Sequence, residues 1–590
     1  EELIPELAKQ GIRFLRRSTW NDAQAKWVAE YFQAEVLPVL SPLGLDPAHP
    51  FPRVLNKSLN FIVSLEGQDA FGRSSGLAVV QAPRALGRLI QIPQEVSGGV
   101  YDFVFLSSII HAHVGELFPG MRPKGCYQFR ATRNSELFVD EEEVEDLMLA
   151  MEEELYQRHY GDAVRLEVAD NCPMEAARYL LKQFGLTERE LFQVRGPVNL
   201  GRLMMIPGAI DRPDLKDEPF VQRTVHVEWP RKQDIFAQLR MGDVLLHHPF
   251  ESFSTVIEFF KQASEDPNVL AIKQTVYRTE EDSVLVDSLV NAARAGKEVT
   301  AVIELRARFD EERNIHIANR LQEAGAHVVY GVVGYKTHAK MALVVRREAG
   351  ALKRYVHLGT GNYHPRTARL YTDFGLMTYD QEIGEDVHNM FQQLTGLGRV
   401  MEMHHLLHSP FTLHSAILDK IERETQLAAA GKRGHIMAKI NSLTEPEVVR
   451  ALYRASRAGV RIDLIIRGIC RLRPGHKGLS ESIRVRSIVG RFLEHTRCFY
   501  FRNGGREEVW CASADWMSRN LLRRVETCFP ILAPRLRERV IHEQFQVYLR
   551  DNTKAWELNE DGSYTRLAPP SEALAFSAQD ALLEELAAES

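Results

Sequence analysis

Two histidines stand at matching places in a chain whose C-terminal 360 or so residues are duplicated. His338 and His495 lie 157 positions apart, and each is followed two residues later by a cation, Lys340 or Arg497. Residues two apart in an extended chain point to the same face, so we expect His338 and Lys340 to face one site. A neutral imidazole can attack phosphorus while a nearby cation stabilises the phosphoryl oxygens. The pattern is suited to phosphoryl transfer through a phosphohistidine.

Two other stretches repeat and define the duplication. The string AARAG at 292–296 recurs as ASRAG 163 positions later, and GTGNY at 359–363 is matched by ASADW 153 positions later. Insertions and deletions in loops account for such a drift in spacing. Duplicated halves that each carry a histidine indicate one site on a pseudo-two-fold axis. Because one site needs only one nucleophile, His495 is expected to act from the opposite side in acid–base work or leaving-group stabilisation.

Arginines follow the predicted strands in both copies. Ligands of open α/β sheets bind beyond the carboxyl ends of strands, where arginine gives bidentate contacts to phosphate. The turn at 359–362 is expected to bring backbone N–H groups and an amide to the same phosphate. Tyr371 is a candidate for stacking on a base, and Asp373 is a candidate for orienting a histidine. The candidate phosphate-binding residues are Arg278, Arg306, Arg308, Asn362, Arg467, Arg471, Arg519, Arg523 and Arg524.

The elements that must position these residues follow an α/β pattern. Apolar runs alternate with amphipathic stretches that end at Gly296 and Gly325, which indicates a mixed sheet with helices on its faces. The second copy repeats the order, and the seam between the copies is placed at 405–410. Residues 1–225 lie outside the duplication, with a helix predicted over 22–39 and an acidic helix over 140–156. Predicted strands of the copies cover 269–275, 299–305, 326–330, 341–345, 435–440, 461–466 and 497–501, and predicted helices 283–295, 314–324 and 445–458.

Composition bounds the class of protein. A chain of 590 residues with 45% hydrophobic and 26% charged residues is ordinary for three or four globular domains. A net charge of −6 does not indicate a nucleic-acid binder, so any anion site must be local. No GxxxxGK[ST] or GxGxxG string is present, which excludes a P-loop ATPase and a protein-kinase fold. The six cysteines lack metal-binding spacing and are typical of reduced cytosolic thiols. The first residues lack a basic region and Met, and we expect an upstream segment to be missing.

Together, several strings carry a resemblance to a known family: YRT at 277–279, ELRARFDEE at 304–312, THAK at 337–340, HLGTGNY at 357–363, TARLYTD at 367–373 and SADWM at 513–517. Along essentially its whole length the chain resembles the long, two-histidine bacterial polyphosphate kinases. The resemblance implies an α/β chain with an α+β head domain and two tandem α/β domains like those of the phospholipase D superfamily. The implied boundaries are a remnant of an N-terminal helical domain at 1–9, a head and dimerisation domain at 10–224, and catalytic domains at 225–405 and 406–590.

The resemblance also implies roles for single residues. His338 matches the phosphohistidine nucleophile, Tyr371, Arg467 and His495 match ATP contacts, and His495 is also the expected general acid. Arg278 and Arg308 match positions of a Mg²⁺ site, but a guanidinium has no lone pair for a cation. We therefore expect these two to hold phosphate oxygens beside the ion. The implied partners are Mg²⁺, ATP or ADP and inorganic polyphosphate, with no nucleic acid. A cytoplasmic homodimer or homotetramer with at most peripheral membrane association is expected.

Two alternatives stay open at this stage. A phospholipase D-like phosphodiesterase or nuclease would also use the duplicated histidines. That superfamily has an Asp five residues after the Lys, where this chain has Val345, and the second copy has Arg497 in place of the Lys. Both departures count against phosphodiester hydrolysis. The third interpretation is an inactive scaffold that binds polyanions.

Overall fold

The computed structural model describes residues 2–45, 51–68, 72, 76–134, 148–149, 151–152, 155, 161–225, 234–280, 283–307, 309–396 and 398–587. The chain forms two compact units, one of Glu1–Phe138 with Glu153–Glu218 and one of Val139–Glu152 with Pro219–Ser590. The duplicated copies both belong to the second unit. The domain boundaries expected from the family resemblance stay a prediction.

In the first unit, a three-stranded and a six-stranded sheet are present. Strands β1, β6 and β5 form the first in the order β1-β6-β5, and the second runs β2-β4-β3-β7-β8-β9. The capping box of Asn21 and Gln24 starts the helix Asp22–Tyr31, and helical turns continue to Val39 as predicted. Most of the predicted acidic helix lies outside the described residues. The strands are β1 Ile12–Phe14, β2 Pro42–Gly44, β3 Asn60–Gly67, β4 Leu77–Gln81, β5 Leu89–Gln91, β6 Tyr101–Phe105, β7 Met121–Arg133, β8 Ala163–Ala169 and β9 Leu191–Val194.

Each copy in the second unit builds one mixed sheet, and the two sheets have matching strand orders. First-copy strands are β10 Val244–His248, β11 Val269–Val276, β12 Glu298–Ile303, β13 His327–Val329, β14 Lys336–Thr337, β15 Met341–Glu348, β16 Ala351–Gly359 and β17 Tyr371–Thr378. Second-copy strands are β18 Leu407–Ser409, β19 His435–Ile440, β20 Arg461–Ile466, β21 Ile483–Ile488, β22 Leu493–Glu494, β23 Cys498–Phe501, β24 Glu508–Ala512, β25 Arg524–Pro530, β26 Ala555–Leu558 and β27 Tyr564–Arg566. The first sheet runs β10-β17-β16-β15-β11-β12-β13, and seven strands of the second run β18-β25-β24-β23-β19-β20-β21 before β26 and β27.

The two short strands β14 and β22 cross between the copies. β14 pairs in parallel with β25 of the second copy, and β22 pairs in parallel with β17 of the first. Each short strand directly precedes a histidine, His338 or His495. The segment Lys336–Thr337 is extended because the edge of the other copy's sheet supplies its hydrogen-bond partners.

Helices cover the sheets through their apolar faces. The helix Pro446–Arg457 buries Val448, Leu452 and Ala455 on one face, and Glu445 caps its first turn. One apolar cluster contains Leu343 of the first copy and Phe529 of the second, so the copies share core residues. The larger helices of this unit are Ser254–Glu265, Val284–Arg294, Glu311–Glu323, Gln381–Thr395, Leu413–Ala429, Pro446–Arg457, Pro534–Ile541 and Ala578–Leu586.

The mixed α/β class and the predicted elements of both copies are confirmed, with shifts of one to three residues at their ends. The strands at 435–440 and 461–466 agree in full with β19 and β20. Sequence reasoning missed β10, β16 and β17, because their apolar runs are interrupted by histidine, glycine and threonine. It also missed β21, β25 and the helices Ser254–Glu265, Gln381–Thr395 and Leu413–Ala429. Within the described ranges, no helix is both long and apolar enough to cross a bilayer.

Candidate active site

His338 is fixed by the second copy. Its backbone N–H donates to the carbonyl of Val525 at 2.8 Å, and its Nδ1 lies 2.8 Å from Oε2 of Glu526. Glu526 is fully buried and also accepts hydrogen bonds from Ser513 Oγ at 2.5 Å and Asn520 Nδ2 at 2.7 Å. A carboxylate at Nδ1 keeps the proton there and fixes the tautomer. Nε2 of His338 is thereby left with its lone pair.

The environment of His338 favours the neutral ring. Burial lowers the pKa of His338 well below its ordinary value, and the charges of Lys340, Arg524 and Arg497 act in the same direction. Burial raises the pKa of Glu526. A neutral imidazole beside several cations is the state needed for attack on an electron-poor phosphorus.

His495 repeats this arrangement with the copies exchanged. Its Nδ1 lies 2.8 Å from Oδ2 of Asp373, a first-copy residue, and Thr360 Oγ1 donates to Asp373 Oδ1 at 2.7 Å. Burial raises the pKa of Asp373, but His495 and Arg497 outweigh it and leave that pKa below its ordinary value. Burial and Arg497 lower the pKa of His495, whereas Asp373 raises it. The orienting role predicted for Asp373 therefore matches its contact with His495.

The two cations that follow the histidines are placed differently. Lys340 is almost fully buried, donates to the carbonyl of His338, and lies 4.8 Å from the ring centroid of Tyr277. The Tyr277 ring packs edge-on against His338, with centroids 4.7 Å apart. Arg497 lies between the halves, 3.0 Å from Nε2 of His495 and 3.2 Å from Oδ2 of Asp515. Burial lowers the pKa of Lys340 well below its ordinary value.

Two predicted nucleotide contacts gather around His495. The Tyr371 ring centroid lies 5.5 Å from that of His495. Nε of Arg467 donates to Oδ1 of Asn441 at 2.9 Å, and the amide of Asn441 donates to the carbonyl of His495 at 3.3 Å. Burial lowers the pKa of Arg467. Tyr371 and Arg467 thus lie close to His495, the first by ring contact and the second through Asn441.

The first-copy arginines are paired with carboxylates. Arg278 lies 2.8 Å from Oδ2 of Asp310, and Arg306 lies 3.6 Å from Oε1 of Glu304, whose other oxygen accepts the N–H of Thr337 next to His338. Glu304 therefore connects this loop to the nucleophile. Arg308 lies outside the described residues.

Asn362 and Arg519 are less closely integrated into the site. The side-chain oxygen of Asn362 is buried without a hydrogen-bond partner among the described residues. Because an amide oxygen only accepts, a contact of Asn362 with phosphate would come from its NH₂ group. Arg519 is exposed on the short helix Ser518–Leu522, and its neighbour Asn520 is the residue that reaches Glu526.

Sequence reasoning identified Arg524 as a candidate phosphate contact but missed Glu526, Tyr277 and Asn441 as site residues. Glu526 was within its reach, because it lies 153 positions after Asp373, the spacing of the nearby glycine-rich turn. Tyr277 and Asn441 face the two histidines from matching strand ends but differ in side-chain chemistry, so the duplication gives no signal for them.

The residues matched to a Mg²⁺ site do not fit as direct ligands. Arg278 has no lone pair, and the oxygens of Asp310 lie 2.8 Å from Arg278 and 2.7 Å from Arg313. Elsewhere in the described ranges, Asp380, Glu382 and His405 bring potential ligand atoms within 4.8 Å of one another. Asp380 caps a helix and Glu382 bonds His405 at 2.7 Å, which accounts for this cluster.

Comparison with known proteins agrees with this architecture. Family models for the polyphosphate kinase middle domain, C-terminal domain 1 and C-terminal domain 2 match residues 23–206, 234–400 and 406–579. A polyphosphate kinase of Pseudomonas aeruginosa is 58% identical over 588 residues, which is 100% of this chain and 85% of the relative. One from Neisseria meningitidis serogroup C is 58% identical over 96% of this chain and 83% of its own length.

A solved structure gives the same result. The crystal structure of polyphosphate kinase from Porphyromonas gingivalis matches with a TM-score of 0.85 and 31% identity, over 99% of this chain and 86% of that one. The fold and site define an α/β protein with a duplicated, two-histidine centre shared between its copies. The chain belongs to the polyphosphate kinase family.

Proposed function

We propose that this chain is an ATP:polyphosphate phosphotransferase that works through a phosphohistidine at His338. The observation that carries the proposal is the buried, neutral imidazole of His338, held at Nδ1 by Glu526 and surrounded by cations. Family membership supports the same reaction, because the relatives at 58% identity are polyphosphate kinases.

In the first step, Nε2 of His338 attacks the γ-phosphorus of ATP. The N–P bond forms as the P–O bond to ADP breaks, and ADP leaves with that electron pair. Arg497 and Arg524 stabilise the charge on the phosphoryl oxygens. His495, oriented by Asp373, donates a proton to the leaving oxygen when protonated, and Tyr371 and Arg467 hold the nucleotide beside it.

In the second step, a terminal oxygen of inorganic polyphosphate attacks the phosphohistidine. A P–O bond forms as the N–P bond breaks, and the neutral His338 is restored. Each step is reversible by the same contacts. Arg278, Arg306, Arg308, Asn362 and Arg519 are the proposed contacts to phosphate along the substrate, with Lys340 as a further cation beside His338. Mg²⁺ enters this proposal as a partner of the substrate phosphates, where it would neutralise their charge.

The test is transfer of ³²P from γ-labelled ATP with Mg²⁺ to wild type, His338→Ala and His495→Ala. We expect an acid-labile, alkali-stable label that is lost in His338→Ala, together with polymer synthesis. Label retained in His338→Ala would overturn the assignment of the nucleophile. Release of a headgroup or nucleotide from a phosphodiester without ATP would indicate a phospholipase D-like enzyme, and polyphosphate binding without turnover would indicate a scaffold.

The assembly and location are also part of this proposal. We expect a cytoplasmic homodimer or homotetramer, assembled through the head domain, with at most peripheral membrane association and no nucleic-acid partner. Sedimentation of the purified chain at several concentrations would measure its oligomeric state.

A further inference from the structure

The C-terminal helix Ala578–Leu586 reaches the segment that carries His495. Gln579 is 2% exposed, and its amide brackets the backbone of Phe492: Oε1 accepts the N–H at 2.9 Å and Nε2 donates to the carbonyl at 2.9 Å. Nε2 also donates to Oε1 of Glu494 at 2.5 Å. The amide of Gln579 makes the two backbone hydrogen bonds that a neighbouring strand would make. The helix therefore fixes residues 492–494, which directly precede His495.

Glu494 is a buried connection between both copies and this helix. Its Oε2 lies 2.6 Å from Nζ of Lys439 on β19 and accepts a hydrogen bond from Oγ1 of Thr372 on β17 at 2.9 Å. Only 4% of the Glu494 residue is exposed. Because a buried carboxylate left without donors is costly, the three donors and the carboxylate hold one another in place.

Thr372 passes this constraint to the histidine. Its hydroxyl donates to Glu494 and therefore presents a lone pair, which accepts the backbone N–H of His495 at 3.2 Å. The next residue, Asp373, binds Nδ1 of the same histidine. The orientation of His495 toward its carboxylate thus depends on a chain of hydrogen bonds that begins at Gln579.

Among the residues that the structure describes, this arrangement is present in the second copy only. The position that matches Glu494 in the first copy is Thr337, whose N–H binds Glu304. The nucleophile His338 therefore has no contact of this kind with a terminal helix among the described residues. Because this contact with the C-terminal helix lies beside only one of the two histidines, it points to a role specific to His495.

We propose that Gln579, acting through Glu494 and Thr372, is a positioning residue for His495 in the acid–base part of the reaction. The expected effect on kcat rests on the proposed function, whereas the expected effect on the orientation and pKa of His495 does not. Titratable groups face His495 from several elements: Asp373 and Tyr371 from β17, and Arg497 and Asp515 from the second copy. His338 of the first copy also interacts with it electrostatically. Tyr548 and Lys439 face Glu494.

The test compares Gln579→Leu with wild type. Asp373 raises the pKa of His495. Loss of the Gln579 amide should loosen the contact between these two residues, so the pKa of His495 should fall. We expect kcat to drop about tenfold, with the KM for ATP changed less than twofold, a loss specific to the transition state. The pH at which His495 titrates should move down in ¹⁵N-histidine spectra assigned with His495→Gln.

Two further variants make the test decisive. Asn552→Ala removes contacts that attach the same C-terminal segment, since Asn552 binds Leu574 and Phe576 without touching Glu494. We expect Asn552→Ala to keep the wild-type titration and kcat. If Gln579→Leu does not fold, Glu494→Gln tests the same chain of hydrogen bonds with the volume retained.

The outcomes separate this proposal from the function. A His495 titration and a kcat per labelled site that are unchanged in Gln579→Leu and Glu494→Gln would overturn the positioning role, even if both variants melt at lower temperature. Wild type that forms no phosphohistidine would overturn the proposed function, while a shifted His495 titration in Gln579→Leu would still support the structural relation.

Discussion

Nδ1 of His338 lies 2.8 Å from Oε2 of Glu526, although 188 residues of sequence separate them. The mirrored pair, His495 and Asp373, spans 122 residues in the opposite sense. Each histidine is thus oriented by a carboxylate of the other copy. Neither half of the duplication supplies both members of either of these two pairs.

Replacing Glu526 should impair the nucleophile more than any loss of stability explains. Glu526→Gln replaces the carboxylate beside Nδ1 of His338 by an amide, which can either donate or accept a hydrogen bond. The tautomer with a protonated Nδ1 and an unprotonated Nε2 is then no longer favoured. We expect about 10²-fold slower formation of phosphohistidine, within the range for a proton-handling group. Rapid-quench labelling with ³²P measures this rate. Asp373→Asn is the matched control on His495. It should change the pH dependence of labelling, while His338 should remain the labelled residue. An unchanged labelling rate in Glu526→Gln would contradict the orienting role.

The pH dependence of labelling should reflect the buried state of His338. Burial and neighbouring cations lower the pKa of His338 well below its ordinary value, so the ring stays neutral as the pH falls through 6.5. Labelling in a single turnover should therefore persist at pH 6 and decline only at lower pH. A decline centred at or above pH 6.5, in protein shown by circular dichroism to be folded, would contradict this prediction.

Tyr277 should contribute to both stability and catalysis through its ring. The ring packs against His338 and below the ammonium of Lys340. Tyr277→Ala should lower the free energy of unfolding by about 2 kcal/mol, as expected for removal of a half-buried aromatic side chain, and should slow labelling because His338 gains freedom. Tyr277→Phe keeps the ring and should stay close to wild type in both. Urea unfolding and labelling rates measure the two effects, and equal losses in both variants would assign the role to the hydroxyl.

Mg²⁺ should bind to this site together with nucleotide and not alone. Arg278 has no lone pair to offer, and Asp310 is already paired with Arg278 and Arg313. Calorimetry should show binding of Mg²⁺ in the presence of a non-hydrolysable ATP analogue, and no binding tighter than a dissociation constant of about 1 mM without the analogue. Asp380→Asn controls for the exposed cluster with Glu382 and His405. Tight binding to the free protein, lost in Asp310→Asn, would contradict the prediction.

Much of this site could be predicted from the spacing of repeated strings. The matched positions of His338 and His495 indicated one shared site, and Asp373 was identified as a partner of a histidine. The same spacing leads from Asp373 to Glu526, so that residue was accessible to sequence reasoning. Amphipathic helices and apolar strands of both copies followed from their periodicity, as for Pro446–Arg457.

Other features depend on tertiary structure and leave no pattern in the sequence. Strands of two residues, such as β14 and β22, have no periodicity, and their partners lie in the other copy. The face that Arg519 presents could not be read from a helix of five residues. The contact of Gln579 with Glu494 joins residues 85 positions apart whose types are ordinary in any buried region.

The exchange of β14 and β22 has a consequence for the origin of the fold. An ancestral single copy could not have completed a histidine–carboxylate pair within its own sheet, but two identical copies facing each other across a two-fold axis would complete two. Fusion of the two genes would preserve that geometry and would allow the sequences of the two halves to diverge. Such divergence would account for the differences now seen between the halves, Glu526 against Asp373 and Lys340 against Arg497. In the proposed mechanism, one half would accept the phosphoryl group and the other would assist the departure of ADP.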